Sequence, residues 1–381
     1  MKKQSTTLKN GASTRGNTLQ WTLIISFFWI ALLLLNLLPP QGSFLHVSNF
    51  TLNTFGKYMA YAILALGIDL LWGYTGILSL GQGVFFGLGA YCMGMHLMLS
   101  IAGEGVYQSD LPDFMVWNQV KTLPFFWKPF SNFWVSMAAV MLVPAFFALI
   151  FGYLTFRSRI KGVYFAIITQ ALAMTVWLLF NQNSFNLGGT NGLTDFKSIL
   201  GYSLMEQGTQ KTLFAITGLC LGAAFLLCRW LTVSRFGKVL IAIRDNEGRI
   251  RFSGYDPARY KLFVFVVAAA LAGLAGALYV PQVGIITPGQ IGVLPSIGMI
   301  IWVAVGGRGT LVGALLGAIG VNWAYSILTS NYPDLWLYFL GLMFIGVVLF
   351  FPGGMWEIGG KISNLHHGRA KKQKIAASEA G

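Results

Sequence analysis

Charge is what this sequence has least of. Only 10% of its 381 residues are Asp, Glu, Lys or Arg and 55% are hydrophobic, whereas an ordinary soluble domain is about 25% charged. With a mean hydropathy of +0.65, a water-soluble fold is excluded and a polytopic membrane protein is implied. Acidic residues are scarcest, 12 against 26 Lys and Arg, which leaves a net charge of +14. That excess does not point to nucleic acid. The basic residues are confined to loops and terminal stretches between apolar runs, and no RNA- or DNA-binding motif accompanies them. Cysteine is nearly absent as well. Cys92, Cys220 and Cys228 all fall within apolar runs and read as small buried hydrophobes rather than a disulfide framework or thiolate centre. The four histidines, His46, His96, His366 and His367, lack metal-ligand spacing. No metal site, cofactor or catalytic cluster is expected. The chain also lacks G-x-x-x-x-G-K-[ST], so it should not hydrolyse nucleotide by itself.

What is present is a series of apolar runs long enough to cross a bilayer, each needing about 20 residues unless neighbouring helices shield it. They predict an all-α helical bundle of about ten transmembrane helices, at 20–38, 55–73, 78–99, 132–155, 163–180, 212–233, 262–283, 295–306, 310–330 and 335–351. Charge sets the orientation. With the N-terminus in the cytoplasm, Lys2, Lys3, Lys9, Arg15, the turn Arg157, Arg159 and Lys161, the block 234–261, Arg308 and the tail from Lys361 to Lys374 share one side. The other side receives Glu104, Asp110, Asp113, Asp195, Glu206 and Asp334. The positive side is cytoplasmic, so both termini are expected there, which requires an even number of spans.

The remaining divisions follow. Residues 1–19 read as a disordered tail, 20–355 as the membrane domain and 356–381 as a basic cytoplasmic tail. Loops 100–131 and 181–211 are extracytoplasmic. The first run resembles a signal peptide in position, but it is long and lacks a small-x-small cleavage site, so it is taken as a retained helix. Trp117, Pro124, Trp127 and Pro129 mark the loop 100–131 as a segment lying at the membrane interface.

Two features carry chemistry. The block 234–261 holds seven Lys or Arg and three Asp or Glu between two spans, so it must lie in cytoplasmic water. Within it, Gly237, Ile241, Ile243, Arg244, Asp245, Glu247, Arg249 and Arg251 offer apolar knobs inside a charged rim, the pattern of a helix docked in a partner's groove. A solvated loop with only an orienting role is the alternative. The second feature is a polar, glycine-rich path. Asp69 is the only acidic residue within a predicted span; it either fixes helix register through a buried hydrogen bond or lies beside a solute route with Thr75, Ser79 and Gln82. Gly73 to Gly76 predicts a helix break at membrane depth, tolerated only where protein or a cavity shields it. The cluster 186–195, with Thr190, Asn191 and Thr194, is a second polar stretch, and 305–313 is a tight cytoplasmic turn. Gly83 with Gly87, Gly218 with Gly222 and Gly313 with Gly317 form small-xxx-small pairs suited to close helix packing.

In order, GYTGILSLGQGVFFGLGAY, GVYFAIITQALA, GGTNGLTDF, GKVLIAIRDNEGR, IWVAVGGRGTLVGALLGA and FPGGMW resemble the signatures of the LivM-type permeases of ABC importers for branched-chain amino acids and amides. The resemblance covers about residues 55–355. Asp69, Gln82 and GLTDF look like the urea branch of that family, since many of its amino-acid permeases carry Asn and His at positions matching Asp69 and Gln82. The resemblance implies a bacterial inner-membrane importer of urea or a short amide, or alternatively of an amino acid. It also implies a second homologous permease, two cytoplasmic ATPases that bind the ATP, a periplasmic solute-binding protein and a small polar solute. By position, residues 237–251 would be the ATPase-coupling segment. A secondary transporter or channel is a further alternative, but intramembrane charge for ion coupling is nearly confined to Asp69.

Overall fold

A computed structural model describes residues 49–103, 107–158, 160 and 162–350. The predicted first span, both tails, His46, His366 and His367 lie outside the described residues.

Hydrophobicity dominates what forms. The helices are α1 (Asn49–Asp69), α2 (Gln82–Ser100), the short α3 (Asp113–Trp117), α4 (Phe133–Arg157), α5 (Val163–Phe180), α6 (Gln207–Val233), α7 (Arg235–Phe252), α8 (Pro257–Val283), α9 (Val293–Gly306), α10 (Leu311–Asn331) and α11 (Trp336–Phe350). Among the described residues, seven helical segments are long and apolar enough to cross a membrane: Phe50–Tyr74, α2, α4, α5, α6, α8 and α10. α9 and α11, at 14 and 15 residues, match the predicted eighth and tenth spans but fall short of a full crossing by themselves. The protein is thus a polytopic helical bundle.

Local chemistry sets several ends. α8 begins with Asp256 accepting a hydrogen bond from the Ala258 N–H at 3.1 Å, has Pro257 at its first position, and stops at Gly284 with φ +79. Each suits its place, because an aspartate satisfies a free N–H, proline needs none there, and glycine tolerates the left-handed turn. α1 and α8 form the centre. α1 packs on α6, α8 and α10, while α2 and α4 cover α8. Leu64, Ala65, Leu66, Val264, Ala268 and Ala272 are fully buried there.

Two groups of elements gather at opposite ends of the bundle. At one end, β1 (Leu193–Thr194) pairs antiparallel with β4 (Ile285–Ile286), β2 (Ser198–Ile199) pairs with β3 (Tyr202–Ser203), and His96 Nδ1 meets the Phe130 carbonyl at 2.9 Å. These belong to the segments assigned to the extracytoplasmic side. At the other end, the end of α1, the turn after α9 and α7 meet.

Three expectations are corrected. The predicted span 78–99 starts as a helix only at Gln82, because residues 76–81 run as irregular chain, with Ile77, Ser79 and Gly81 buried. Gly222 has no neighbour within 4 Å where a Cβ would sit, so Gly218 and Gly222 do not form a packing face inside the subunit. In loop 100–131, Trp117 and Phe125 are exposed, but Trp127 is fully buried with its ring 5.9 Å from Phe114.

Candidate functional site: a polar line between two ends

The break at Gly73 to Gly76 is built stepwise. α1 widens into a π-helical turn at Leu70–Tyr74, a form often placed at functional sites. Gly76 then takes φ +74, and the Ile77 N–H turns back to donate to the Leu71 carbonyl at 3.1 Å. This closes the helix in the manner of a glycine C-cap. The chain continues through Ser79, the Leu80 N–H donates to Thr169 Oγ1 of α5 at 3.0 Å, and α2 begins at Gln82.

The seven residues expected along a solute route fall into three places. Thr190, Asn191 and Thr194 line a crevice of 440 Å³ at one end of the bundle, beside Asp113, Asn118, Asn183 and Asp195. Ser79 and Gln82 sit in the interior. Both are buried, and neither Ser79 Oγ nor either amide atom of Gln82 has a hydrogen-bond partner. Such groups lose about 1–3 kcal/mol each when buried without one, so water or solute is the chemistry that fits them. Asp69 and Thr75 lie at the other end. Asp69 is fully buried and its Oδ1 accepts the Gly309 N–H at 2.6 Å. Thr75 lines a small crevice of 190 Å³ with Ile243, Arg244, Asp245 and Glu247. Asp69 therefore makes the buried, register-fixing bond, and the structure does not bring it together with Thr190, Asn191 or Thr194.

The charged block is structured differently from a single docked helix. α7 is interrupted at Asn246, whose φ and ψ are −158° and 96°. The Asn246 Oδ1 accepts the Arg249 N–H at 3.1 Å, which caps a second helical piece. Gly237, Leu240 and Ile243 are buried and Ile241 is half-buried. Ile243 is thus not an outward knob. Steps of three residues put Gly237, Leu240 and Ile243 on one helical face, and that face packs on the protein's own bundle. The outward side carries Lys238, Asp245, Arg249 and Phe252, the last 96% exposed.

The rim charges are also largely committed. Glu247 takes the Lys261 ammonium at 2.7 Å and the Arg251 guanidinium at 2.7 Å, tying α7 to the start of α8. Arg244 donates from Nη1 to the Gly73 carbonyl at 2.7 Å and pairs with Asp245 at 3.2 Å. Because the Lys261 side chain is only 11% exposed, deleting its partner strands a buried charge, which costs about 3–5 kcal/mol. Glu247→Ala should lower the melting temperature of the detergent-purified chain by several degrees. An unchanged melting curve would show that water already satisfies Lys261.

Sequence reasoning named the members of this region singly. It missed Lys261, Asn246 and the pairing of Asp69 with Gly309; only the side-chain cap of Asn246, three residues before Arg249, has a local signal. Among the described residues, no three His, Cys, Asp or Glu gather closely enough to hold a metal ion.

A bundle with membrane-length helices, a polar crevice at one end, unpartnered polar groups inside and a structured charged block at the opposite end has the features expected of a multi-pass membrane permease. The chain belongs to the family described as the branched-chain amino acid transport system permease component, which it matches over residues 50–348. It is similar to the high-affinity branched-chain amino acid transport system permease protein LivM of Escherichia coli, at 24% identity over 91% of this chain and 78% of the relative. The corresponding protein BraD of Pseudomonas aeruginosa is 25% identical over 77% of this chain and 91% of its own length. The ribose import permease protein RbsC of Escherichia coli is 24% identical over 49% of this chain and 59% of its own length. No solved structure matches. These relatives are named as transport permeases, not enzymes.

Proposed function

We propose that this chain is a permease subunit of an ATP-driven importer in the bacterial inner membrane and carries a branched-chain or related amino acid. The observation that carries the reading is the family match across residues 50–348, nearly the whole described bundle, together with relatives named for branched-chain amino acids. The partners are a second homologous permease, two cytoplasmic ATPases and a periplasmic solute-binding protein. The outward apolar side chains of α5, Val163 and Tyr164, each 74% exposed, suit the lipid or the second permease. The outward face of α7 suits the ATPases. The route runs from the crevice of Thr190, Asn191 and Thr194 past Gln82 and Ser79.

Urea or a short amide is the second reading. It draws on Asp69 and Gln82, although Asp69 commits its Oδ1 to Gly309 and offers only the buried, unpartnered Oδ2. Gln82 still favours it, since a neutral amide with both ends unpartnered matches a neutral solute that donates and accepts hydrogen bonds. Uptake of labelled leucine and of labelled urea, in cells carrying or lacking this gene beside its partner subunits, separates the two. Gene-dependent leucine uptake that excess urea does not compete away supports the first reading. Gene-dependent urea uptake indifferent to leucine replaces it with the second.

A further inference from the structure

Three stretches that lie far apart in sequence converge at one point: the π-helical turn at Leu70–Tyr74 with the irregular segment that follows it to Gln82, the glycine turn before α10, and the charged helix α7. Arg244 of α7 donates to the carbonyl of Gly73 at 2.7 Å. That carbonyl lies at the end of a helix, where carbonyls have no partner within the helix and the dipole is negative, so a guanidinium is well suited to it. Asp69, one turn earlier, accepts the Gly309 N–H at 2.6 Å, just before α10 begins. A carboxylate there meets the positive end of that helix. The approach is tight. A Cβ on Gly73 would collide with the Gly309 nitrogen and Asp69 Oδ1, and one on Gly76 would lie 2.9 Å from Arg244 Cγ. Arg308 adds a stacking contact, 5.5 Å above the Trp72 ring.

We infer that Asp69 and Arg244 are positioning residues that transmit movement of α7 to the segment 75–81 and hence to Ser79 and Gln82. Arg244 grips the π-turn from the cytoplasmic helix, and Asp69 anchors the same turn to the α9–α10 corner. A shift of α7 then pulls the Gly73 carbonyl against a fixed point at Gly309. The backbone that gives way is the irregular chain beyond Gly76, which has few regular hydrogen bonds to hold it. A turn that is already widened, between two anchors and a glycine hinge, has the makings of a two-position element. The inference rests on the ATP-driven reading above.

The test uses the full importer, reconstituted in vesicles with its ATPases and binding protein, and measures both ATP hydrolysis and labelled-solute uptake. Arg244→Met and Asp69→Leu should each hydrolyse ATP yet import roughly tenfold less solute per ATP, equivalent to ~1.4 kcal/mol of lost coupling. Asp69→Asn, which keeps an acceptor oxygen for Gly309, should recover most of it. Melting temperature should stay near the parent value in Arg244→Met, whose side chain is 40% exposed. That variant keeps the test decisive even where Asp69→Leu fails to fold. Unchanged solute per ATP in Arg244→Met would overturn the inference while leaving the importer reading intact. Uptake by the parent chain without ATP would overturn that reading itself.

Discussion

Replacing Gly317 by Leu should prevent the chain from accumulating as a folded protein. α10 crosses α9 so closely that a Cβ at Gly317 would collide with the Trp302 carbonyl and lie 2.7 Å from the Gly306 Cα. Gly313 faces the Gly306 carbonyl across the same contact. Both obstacles are backbone, which cannot rotate aside. The cost should therefore exceed the ~1–3 kcal/mol of ordinary overpacking, because the two helices would have to separate. Gly222→Leu is the matched control. It adds the same side chain to a similar motif but meets open space, so the isolated subunit should retain near-parental yield and melting temperature. Membrane-fraction yield and thermal unfolding in detergent distinguish them. Equal behaviour of the two variants would contradict the packing between α9 and α10.

Gln82→Leu should move stability and transport in opposite directions. The amide is 1% exposed with no partner for either atom. Removing a buried unsatisfied polar group of similar volume should raise the melting temperature, by an amount reflecting about 1–3 kcal/mol. Uptake should fall about tenfold or more if the same amide exchanges hydrogen bonds with passing solute. Functional sites are commonly kept at such a cost. Loss of both stability and uptake would mark Gln82 as a structural residue, and full uptake would remove it from the route.

Much of this architecture is legible in the sequence because its signals are local. Membrane-length apolar runs locate the helices, although the run 262–283 leaves out the charged first turn of α8 that begins at Pro257, and the glycines from Gly73 to Gly76 forecast a break. The charged block 234–261 had to lie outside the hydrocarbon. The less legible features depend on contacts distant in sequence. An amphipathic cytoplasmic helix reads alike whether its apolar face meets a partner or its own bundle, so Ile243 looked like an outward anchor. Asp69 has two sensible roles in the sequence, and only its Oδ1 contact with Gly309, 240 residues away, reveals the structural one. The starting point of α2 was misplaced because an apolar irregular segment, shielded by Thr169 and its neighbours, has the hydropathy of a helix. Substrate preference is the hardest feature to read, since Gln82 suits several small polar solutes.

The most direct test of the central claim is solute flux in vesicles containing this chain with its second permease and ATPases, supplied with binding protein and labelled leucine, with and without ATP. An ATP-driven permease predicts accumulation that requires ATP and stops when the ATPases are omitted or inhibited. Equal flux without nucleotide would contradict the account and make the chain a passive or ion-coupled carrier.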